Sequence, residues 1–261
     1  MADLADFKTD YGSVALVTGA SSGIGRSFAL LLAQMGFDLV LVARRVDRLE
    51  ALADKLTAEF GVNVRVCPVD LAEPTAAQQI LDATSDLDIG LLVSNAGFGL
   101  KGQLSDSDPA SIADMLSVNC LAPVLLARGF IPRLRARQSA GIILTSSVEG
   151  LIGCPYSAAY SATKGFVNNL GEALWAELAG DAIDVLTLCP GATDTEAPVL
   201  QGIDPSTLKN LMSPDDVARL ALQNIKNGPL YIPSDHYRAV FEHLLAMPKE
   251  DALRAMVASV K

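Results

Sequence analysis

Short apolar runs alternate along this chain with longer segments of helical periodicity, and that alternation limits the fold more than any other feature. The runs lie at Ser13–Thr18, Asp38–Ala43, Asn63–Cys67, Ile89–Ser94, Gly141–Ser146, Ile183–Leu188 and Leu230–Ile232. Helical patterns occupy Gly25–Met35, Val46–Phe60, Thr75–Thr84, Pro109–Arg137, Ser157–Leu178 and Pro214–Asn227. Strands that alternate with helices predict βαβ units and a parallel sheet. Leu39-Val40-Leu41-Val42-Ala43 is apolar throughout, as expected of a strand covered by helices on both faces. The expected fold is therefore α/β, a doubly wound parallel β-sheet in a single domain spanning residues 1–261. No internal repeat, low-complexity stretch or Pro/Gly/Ser linker divides the chain. Pro123 and Pro132 are expected to bend the fourth helix or end it early.

Two segments fall outside this regular pattern. Gly191–Met212 is long, rich in prolines and small residues, and follows a strand on the side where ligands bind in open α/β sheets. Loops of that length in a compact domain are usually functional lids or poorly ordered. From His236 to Lys261 the sequence predicts a tail of two helices separated by Pro248.

Composition sets limits on partners. The 261 residues carry a net charge of −10, which argues against nucleic acid and anionic membrane, both of which attract basic surfaces. The longest apolar runs fall far short of the ~20 residues that span a bilayer. Met1-Ala2-Asp3-Leu4-Ala5-Asp6 has no basic region followed by an apolar stretch, so no signal peptide is expected. Cys67, Cys120, Cys154 and Cys189 show no paired spacing, which suits a reducing compartment and predicts a cytoplasmic protein. His236 and His243 have no cluster of cysteines or carboxylates at ligand spacing, so no metal is expected.

The chemistry concentrates around Tyr160-Ser161-Ala162-Thr163-Lys164. On a helix, residues four apart share a face, so the phenol of Tyr160 and the ammonium of Lys164 are expected to meet. A nearby cation favours phenolate and lowers a tyrosine pKa, and a tyrosine tuned in this way can exchange a proton with a substrate oxygen. Such a pair is common by chance on surface helices, and its weight comes from the motifs around it. Thr18-Gly19-Ala20-Ser21-Ser22-Gly23-Ile24-Gly25 ends the first strand and opens the first helix, where glycines let backbone N–H groups approach a pyrophosphate. Ser94-Asn95-Ala96-Gly97, Asn119 and Ser147 follow in order.

With these motifs, the chain from about Ser13 to about Ile232 resembles the short-chain dehydrogenase/reductase family of Rossmann-fold, NAD(P)-dependent oxidoreductases. The resemblance implies a catalytic set of Asn119, Ser147, Tyr160 and Lys164. In that set the Ser147 hydroxyl bonds the substrate oxygen and Tyr160 is the proton donor or acceptor. Lys164 binds the nicotinamide ribose and lowers the Tyr160 pKa, and Asn119 holds a water that links the lysine to solvent. It further implies cofactor contacts from Gly19, Ser21, Ser22, Gly23, Ile24 and Gly25. Asp70-Leu71 would meet the adenine, Asn95-Ala96-Gly97 would form the adenine-ribose wall, and Pro190-Gly191 with Thr195 would lie beside the nicotinamide.

NAD-preferring enzymes usually end the second strand with Asp or Glu, to bind the ribose 2′-hydroxyl. Here Ala43 precedes Arg44 and Arg45, no carboxylate occupies that position, and two guanidiniums can bind a 2′-phosphate. NADP is the expected cofactor and NAD the less favoured one. Phe98, Glu149, Cys154, Pro155 and Tyr156 flank the motifs and are expected to border the substrate pocket. Glu149 either touches substrate or caps a turn, and Cys154 is expected to be a wall residue rather than a reactive thiol.

The expected activity is an NADP-dependent carbonyl reductase or alcohol dehydrogenase acting on a small or medium, mostly apolar molecule. The alternatives are an NAD-dependent dehydrogenase of the same fold and a cofactor-sensing regulator without turnover. Pro109–Arg137 and Ser157–Leu178, the latter with Trp175, carry more apolar positions than one buried face needs. In the resembled family these helices pair across a two-fold axis, so a homodimer or homotetramer is expected.

Overall fold

The structure is a computed structural model that describes residues 7–260, so the acidic N-terminus lies outside the described residues. In chain order the elements are α1 (Phe7–Tyr11), β1 (Val14–Thr18), α2 (Gly23–Gln34), β2 (Asp38–Ala43), α3 (Val46–Phe60), β3 (Val64–Pro68), α4 (Ala76–Ala83), β4 (Ile89–Ser94), α5 (Pro109–Leu116), α6 (Ala122–Arg135), β5 (Ala140–Thr145), α7 (Ala158–Glu177), β6 (Ile183–Leu188), α8 (Ala197–Leu200), α9 (Pro214–Gln223), β7 (Leu230–Tyr231), α10 (Asp235–Ala246) and α11 (Lys249–Val260).

All strand pairings are parallel, in the order β3-β2-β1-β4-β5-β6-β7. This is the doubly wound α/β sheet that the alternation predicts. Alternate residues of β1 serve opposite faces, because side chains of a strand point up and down in turn. Ala15 and Val17 pack with Phe28 and Leu32 of α2, Leu49 and Leu56 of α3, and Val217 and Leu222 of α9. Leu16 packs instead with Ile80 of α4, Leu126 and Phe130 of α6, and Val167 and Leu174 of α7. With β2 on one side of β1 and β4 on the other, the helices that follow β1 and β4 leave in opposite directions. A crevice opens between those two strand ends, which is where ligands bind in such sheets.

Local signals start the helices cleanly. Asp108 caps α5 through the amide of Ser111 at 2.9 Å, with Pro109 next in the first turn. Ser213 caps α9 through the amide of Asp216 at 3.0 Å, and Pro214, Asp215 and Asp216 follow.

Several expectations are corrected. The fourth helix does not end at its prolines. Instead α5 runs into α6 through a π turn at Ser117–Leu121, which contains Asn119, and Pro132 lies inside α6. Pro123 has no N–H for the carbonyl of Asn119, and the wider turn accommodates the missing bond. Together Pro109–Arg135 make 27 residues that contain an 18-residue window of mean hydropathy 1.6, enough by length and composition to cross a bilayer. No uninterrupted apolar run marks this stretch in the sequence. Its inner face packs on the sheet through Leu126, Phe130 and Leu134, as a core helix does. The helix expected from Pro214 to Asn227 stops at Gln223 and is followed by a tight turn over Ile225–Asn227.

Helix α1 was not expected, since five residues carry too little periodicity to read. It closes the bottom of the sheet: Tyr11 is fully buried and donates to Asp184 Oδ2 on β6 at 2.6 Å. Beyond β6 the long loop contains α8, and its two ends are joined by the bonds Asp194 N to Met212 O and Met212 N to Ala192 O, at 2.9 and 3.1 Å. The tail docks over the ends of β5 and β6. Phe241 and Ala252 are buried there with Val148, Cys154 and Cys189.

Candidate functional site

The glycine loop lies against β2, with the amide of Gly19 donating to Val42 O at 2.8 Å. Gly19 and Gly23 adopt φ of +68° and +53°, a region where a side chain is strained. At Gly25 a methyl group would sit 2.3 Å from the carbonyl oxygen of Gly19, so no larger residue fits. Helix α2 then begins at Gly23 with no side-chain cap and no acidic residue in its first turn. Its amides are thus left for an anion, favoured by the helix dipole. The residues present fit a dinucleotide pyrophosphate.

Thr18 joins the two sides of this crevice. It is fully buried, and its Oγ1 accepts from the amides of Asn95 at 2.9 Å and Ala96 at 3.0 Å. The Asn95 side chain returns a bond from Nδ2 to Thr18 O at 3.2 Å. Asp70 and Leu71 follow β3; Leu71 is buried, and Asp70 Oδ1 accepts from the amide of Ala72 at 3.0 Å.

The two arginines sit differently than expected. Arg44 is 69% exposed and pairs loosely with Asp70 at 3.7 Å. Arg45 donates from Nη2 to Ser21 Oγ at 2.9 Å and Ser22 Oγ at 2.7 Å, and from Nη1 to Glu196 Oε2 at 2.9 Å. Glu196 also accepts from Arg48 Nη1 at 2.6 Å, and the two guanidiniums hold its carboxyl down at about 2. In the sequence no carboxylate stands at the last position of β2, Ala43. The fold brings one from the loop after β6, a contact that sequence spacing cannot reveal. A cleft of 800 Å³ opens beside this bridge, between Ser22, Gly23 and Arg48 on one side and Thr195, Glu196 and Val199 on the other. Neither Ser147, Tyr160 nor Lys164 lines it, so it adjoins the nucleotide cradle rather than the chemical site.

Ser147, Tyr160 and Lys164 do come together. Ser147 follows β5; its Oγ accepts from the amide of Glu149 at 3.2 Å and donates to Pro190 O at 3.5 Å, and its hydroxyl lies near enough to Tyr160 to favour the phenolate. Lys164, one turn along α7, is 4% exposed; its Nζ donates to Thr145 O at 2.9 Å and lies 5.7 Å from the Tyr160 ring centroid. Burial lowers Lys164 to about 8. The Tyr160 phenol is raised above its ordinary value, first by burial and then by the Glu149 carboxylate, while Ser147 acts the other way. The net direction is therefore opposite to the lowering expected from Lys164, because burial is the largest cause. The ammonium is itself desolvated and turned toward a carbonyl, and burial is the larger effect.

Asn119 is 1% exposed, and its side chain clamps the chain after β4. Nδ2 donates to Phe98 O at 2.8 Å and to Thr163 Oγ1 at 3.0 Å, while Oδ1 accepts from the amide of Phe98 at 3.1 Å. A methyl group at Gly97 would lie 3.1 Å from both Asn119 Oδ1 and Lys164 Nζ, so a glycine there lets the lysine approach closely.

Around this centre, Phe98, Pro155 and Tyr156 are half-buried, and Tyr156 takes a φ of +59° with its carbonyl bonded to the amide of Gly102 at 2.8 Å. Cys154 is buried, and burial pushes its thiol up to about 12, the property of a wall residue rather than a nucleophile. The Glu149 side chain does not cap its turn, because that bond comes from Ser147; it pairs instead with Lys101 at 2.7 Å. The ring of Tyr237 on α10 covers Gly191, where a methyl group would stand 2.0 Å from it. The amide of Gln201 in the loop and the Tyr160 ring both press on Gly99. Sequence reasoning missed Thr18, Lys101, Glu196, Gln201 and Tyr237 as site residues. Only Thr18 and Glu196 carried a signal, each being adjacent in sequence to a motif residue.

A family model described as short chain dehydrogenase matches residues 13–201. A 7beta-hydroxysteroid dehydrogenase from Clostridium sardiniense is 31% identical over 249 residues, covering 95% of each chain. The solved structure of a short-chain dehydrogenase from Sphingobium yanoikuyae in complex with NADPH is 34% identical, with a TM-score of 0.83 over 95% of both chains. A short chain dehydrogenase/reductase from Burkholderia phymatum in complex with NAD is 27% identical, with a TM-score of 0.79 over 88% of this chain and 92% of its own.

The chain belongs to the short-chain dehydrogenase/reductase family.

Membership makes this protein an oxidoreductase of a family that uses a nicotinamide cofactor. The matched region ends at Gln201, inside the long loop. What this short-chain dehydrogenase/reductase builds after that point, including Tyr237 and Phe241 over the strand ends, lies outside the family model.

The Thr18 tie yields a direct test. Thr18→Val keeps the shape but leaves the amides of Asn95 and Ala96 without their acceptor. An orphaned buried donor costs about 1–3 kcal/mol. Denaturant unfolding is expected to show a loss of that size, together with weaker cofactor binding by fluorescence titration. Unchanged stability and affinity would mean the tie carries neither.

Proposed function

We propose that this protein is an NADP-dependent oxidoreductase that moves a hydride between nicotinamide and a carbonyl or alcohol carbon, with Tyr160 as the general acid and base. The observation that carries the reading is the convergence of Ser147, Tyr160 and Lys164, with Lys164 Nζ 5.7 Å from the Tyr160 ring centroid and Ser147 near enough to act on the phenol. The cofactor, when bound, supplies the hydride chemistry.

The protein's own groups position the substrate and handle the proton. Ser147 Oγ is placed to bond the substrate oxygen, and Tyr160 Oη to give that oxygen a proton during reduction. The raised phenol stays protonated at neutral pH, the form that donates during reduction. Lys164, at about 8, can hold or release a proton at Nζ and donate to ribose hydroxyls. The pocket borders named above are largely apolar, which suits a mostly apolar small molecule. The Clostridium sardiniense relative brings hydroxysteroids into the substrate screen, beside aldehydes, ketones and quinones.

For the cofactor, Ser21, Ser22 and Arg45 form a cluster of donors suited to a 2′-phosphate. One observation favours the NAD reading: Glu196 already neutralises Arg45, and a 2′-phosphate must displace or accommodate it. Binding of either cofactor without turnover on any substrate would instead favour a cofactor-sensing regulator.

We also propose a homodimer or homotetramer. Leu116 and Leu121 are 48% and 46% exposed, and with Phe166 they border a groove between α5, α6 and α7. Exposed apolar residues grouped in this way mark an interaction surface.

Three outcomes are expected. Tyr160→Phe should lower turnover by about 10²–10⁴-fold with cofactor affinity nearly unchanged, since it removes only the proton-transferring hydroxyl; a wild-type rate would overturn the mechanism. Arg45→Ala should raise the Michaelis constant for NADPH by about 10–100-fold and that for NADH far less, while Glu196→Gln should lower the NADPH value. Equal effects on both cofactors would rule out 2′-phosphate recognition by this bridge. Light scattering at micromolar concentration should give a mass at least twice 27.4 kDa, and a single species at that mass would refute the assembly.

A further inference from the structure

Three chain segments that surround Tyr160 meet at one carboxylate. Glu149 stands on the turn after β5, two residues beyond Ser147. Its carboxylate accepts from Lys101 Nζ at 2.7 and 2.8 Å and from Ser157 Oγ at 2.6 Å. Lys101 Nζ also donates to Ser157 Oγ at 3.0 Å, so the three groups close a ring. Lys101 lies on the loop after β4, and Ser157 immediately precedes α7, on which Tyr160 is the third residue. Lys101 and Glu149 are 25% and 27% exposed, which shields the pair from water more than a surface ion pair. Lys101 Nζ lies 5.7 Å from the Tyr160 ring centroid, the same distance as Lys164 Nζ.

Few other charges face the phenol. Ser147 is neutral, and the thiols of Cys154 and Cys189 are both pushed up to about 12 and stay protonated near neutral pH. Lys164 is bonded to Thr145 O. Among the described residues, the charged groups at Tyr160 are therefore Lys101, Glu149 and the partly titrating Lys164.

We propose that Lys101 and Glu149 act as a charge regulator of the Tyr160 proton. The carboxylate favours the protonated phenol, Lys101 limits that effect, and their balance sets the pH range in which the enzyme reduces rather than oxidises. Both are positioning residues that act through Tyr160, so the inference rests on the assignment of Tyr160 as general acid and base. The electrostatic logic is simple. A carboxylate disfavours a second negative charge nearby, and an ammonium favours it. Removing either partner uncovers the other, so the two single variants must shift the phenol in opposite directions.

The experiment is a pH titration of the tyrosinate absorbance of the cofactor-free protein, with the Tyr160→Phe spectrum subtracted. It is paired with pH profiles of kcat/KM for alcohol oxidation. Glu149→Gln keeps the hydrogen-bonding shape and should move the Tyr160 ionisation down by about one pH unit; Lys101→Met should move it up by a similar amount. The acidic limb of oxidation, where Tyr160 must lose its proton to act as a base, should move with it, and Lys101→Arg should restore the wild-type profile. Unshifted titrations, or shifts in the same direction with only a rate loss, would reduce the ring to a structural clamp and overturn the inference. Should Lys101→Met fail to fold, Glu149→Gln and Lys101→Arg still decide the matter through the downward shift and the restored profile. If Tyr160→Phe turned over at the wild-type rate, the acid–base assignment itself would fall. If that variant is inactive and Glu149→Gln leaves the phenol unshifted, only the regulator falls.

Discussion

The site depends on a tie between two strand ends that are far apart in sequence. Thr18 closes β1, Asn95 follows β4, and a single buried hydroxyl accepts two amides across the crevice that their divergent helices open. The backbone at both ends can then turn sharply without leaving polar groups unpaired, which a buried turn requires. On one side of the tie the glycine loop leads into the uncapped start of α2. On the other, Gly97 and the Asn119 clamp bring the chain close to Lys164. The nucleotide cradle and the chemical centre are thus two sides of one hydrogen-bonded junction.

Burial governs the chemistry near that junction. A lysine beside a tyrosine suggests a lowered phenol, yet both groups are taken out of water, and desolvation favours the neutral form of each. The lysine falls to about 8 and the phenol rises, so the two pKa values move apart instead of one group simply activating the other. The Glu149 carboxylate adds to this, and Lys101 keeps it in an ion pair. A partly buried pair next to a titrating group has more influence than the same pair in solvent, where water and salt would screen it.

The loop after β6 shows how distant charges come to share one site. Glu196 extends from it to Arg45 and Arg48, and Gln201 reaches Gly99 beside Tyr160. The loop therefore touches both the Arg45 side and the Tyr160 side of the crevice. Its ends are held by main-chain bonds, while Val199 and Leu200 at its centre are 60% and 79% exposed. The tail rests on the same region, with Tyr237 over Gly191 and Phe241 against Val148 and Cys154. Access to the reaction centre is thus shaped by the segments with the least internal periodicity.

By itself the sequence determined the alternation of strands and helices, the parallel sheet, the glycine loop, and the order in which Asn119, Ser147, Tyr160 and Lys164 appear. Those features are local: periods of two and 3.6 residues, positive-φ glycines, caps and short spacings are all written in neighbouring residues. It also permitted mistakes where local rules met tertiary context. Pro123 reads as a helix breaker, yet a π turn carries the chain past it, and α1 is too short to show a period. Only the tertiary structure decided that Arg45 is held by Glu196, that Lys101 and Glu149 pair beside Tyr160, and that the phenol is raised rather than lowered. The first two join residues dozens of positions apart, and all three depend on burial, which no spacing along the chain specifies.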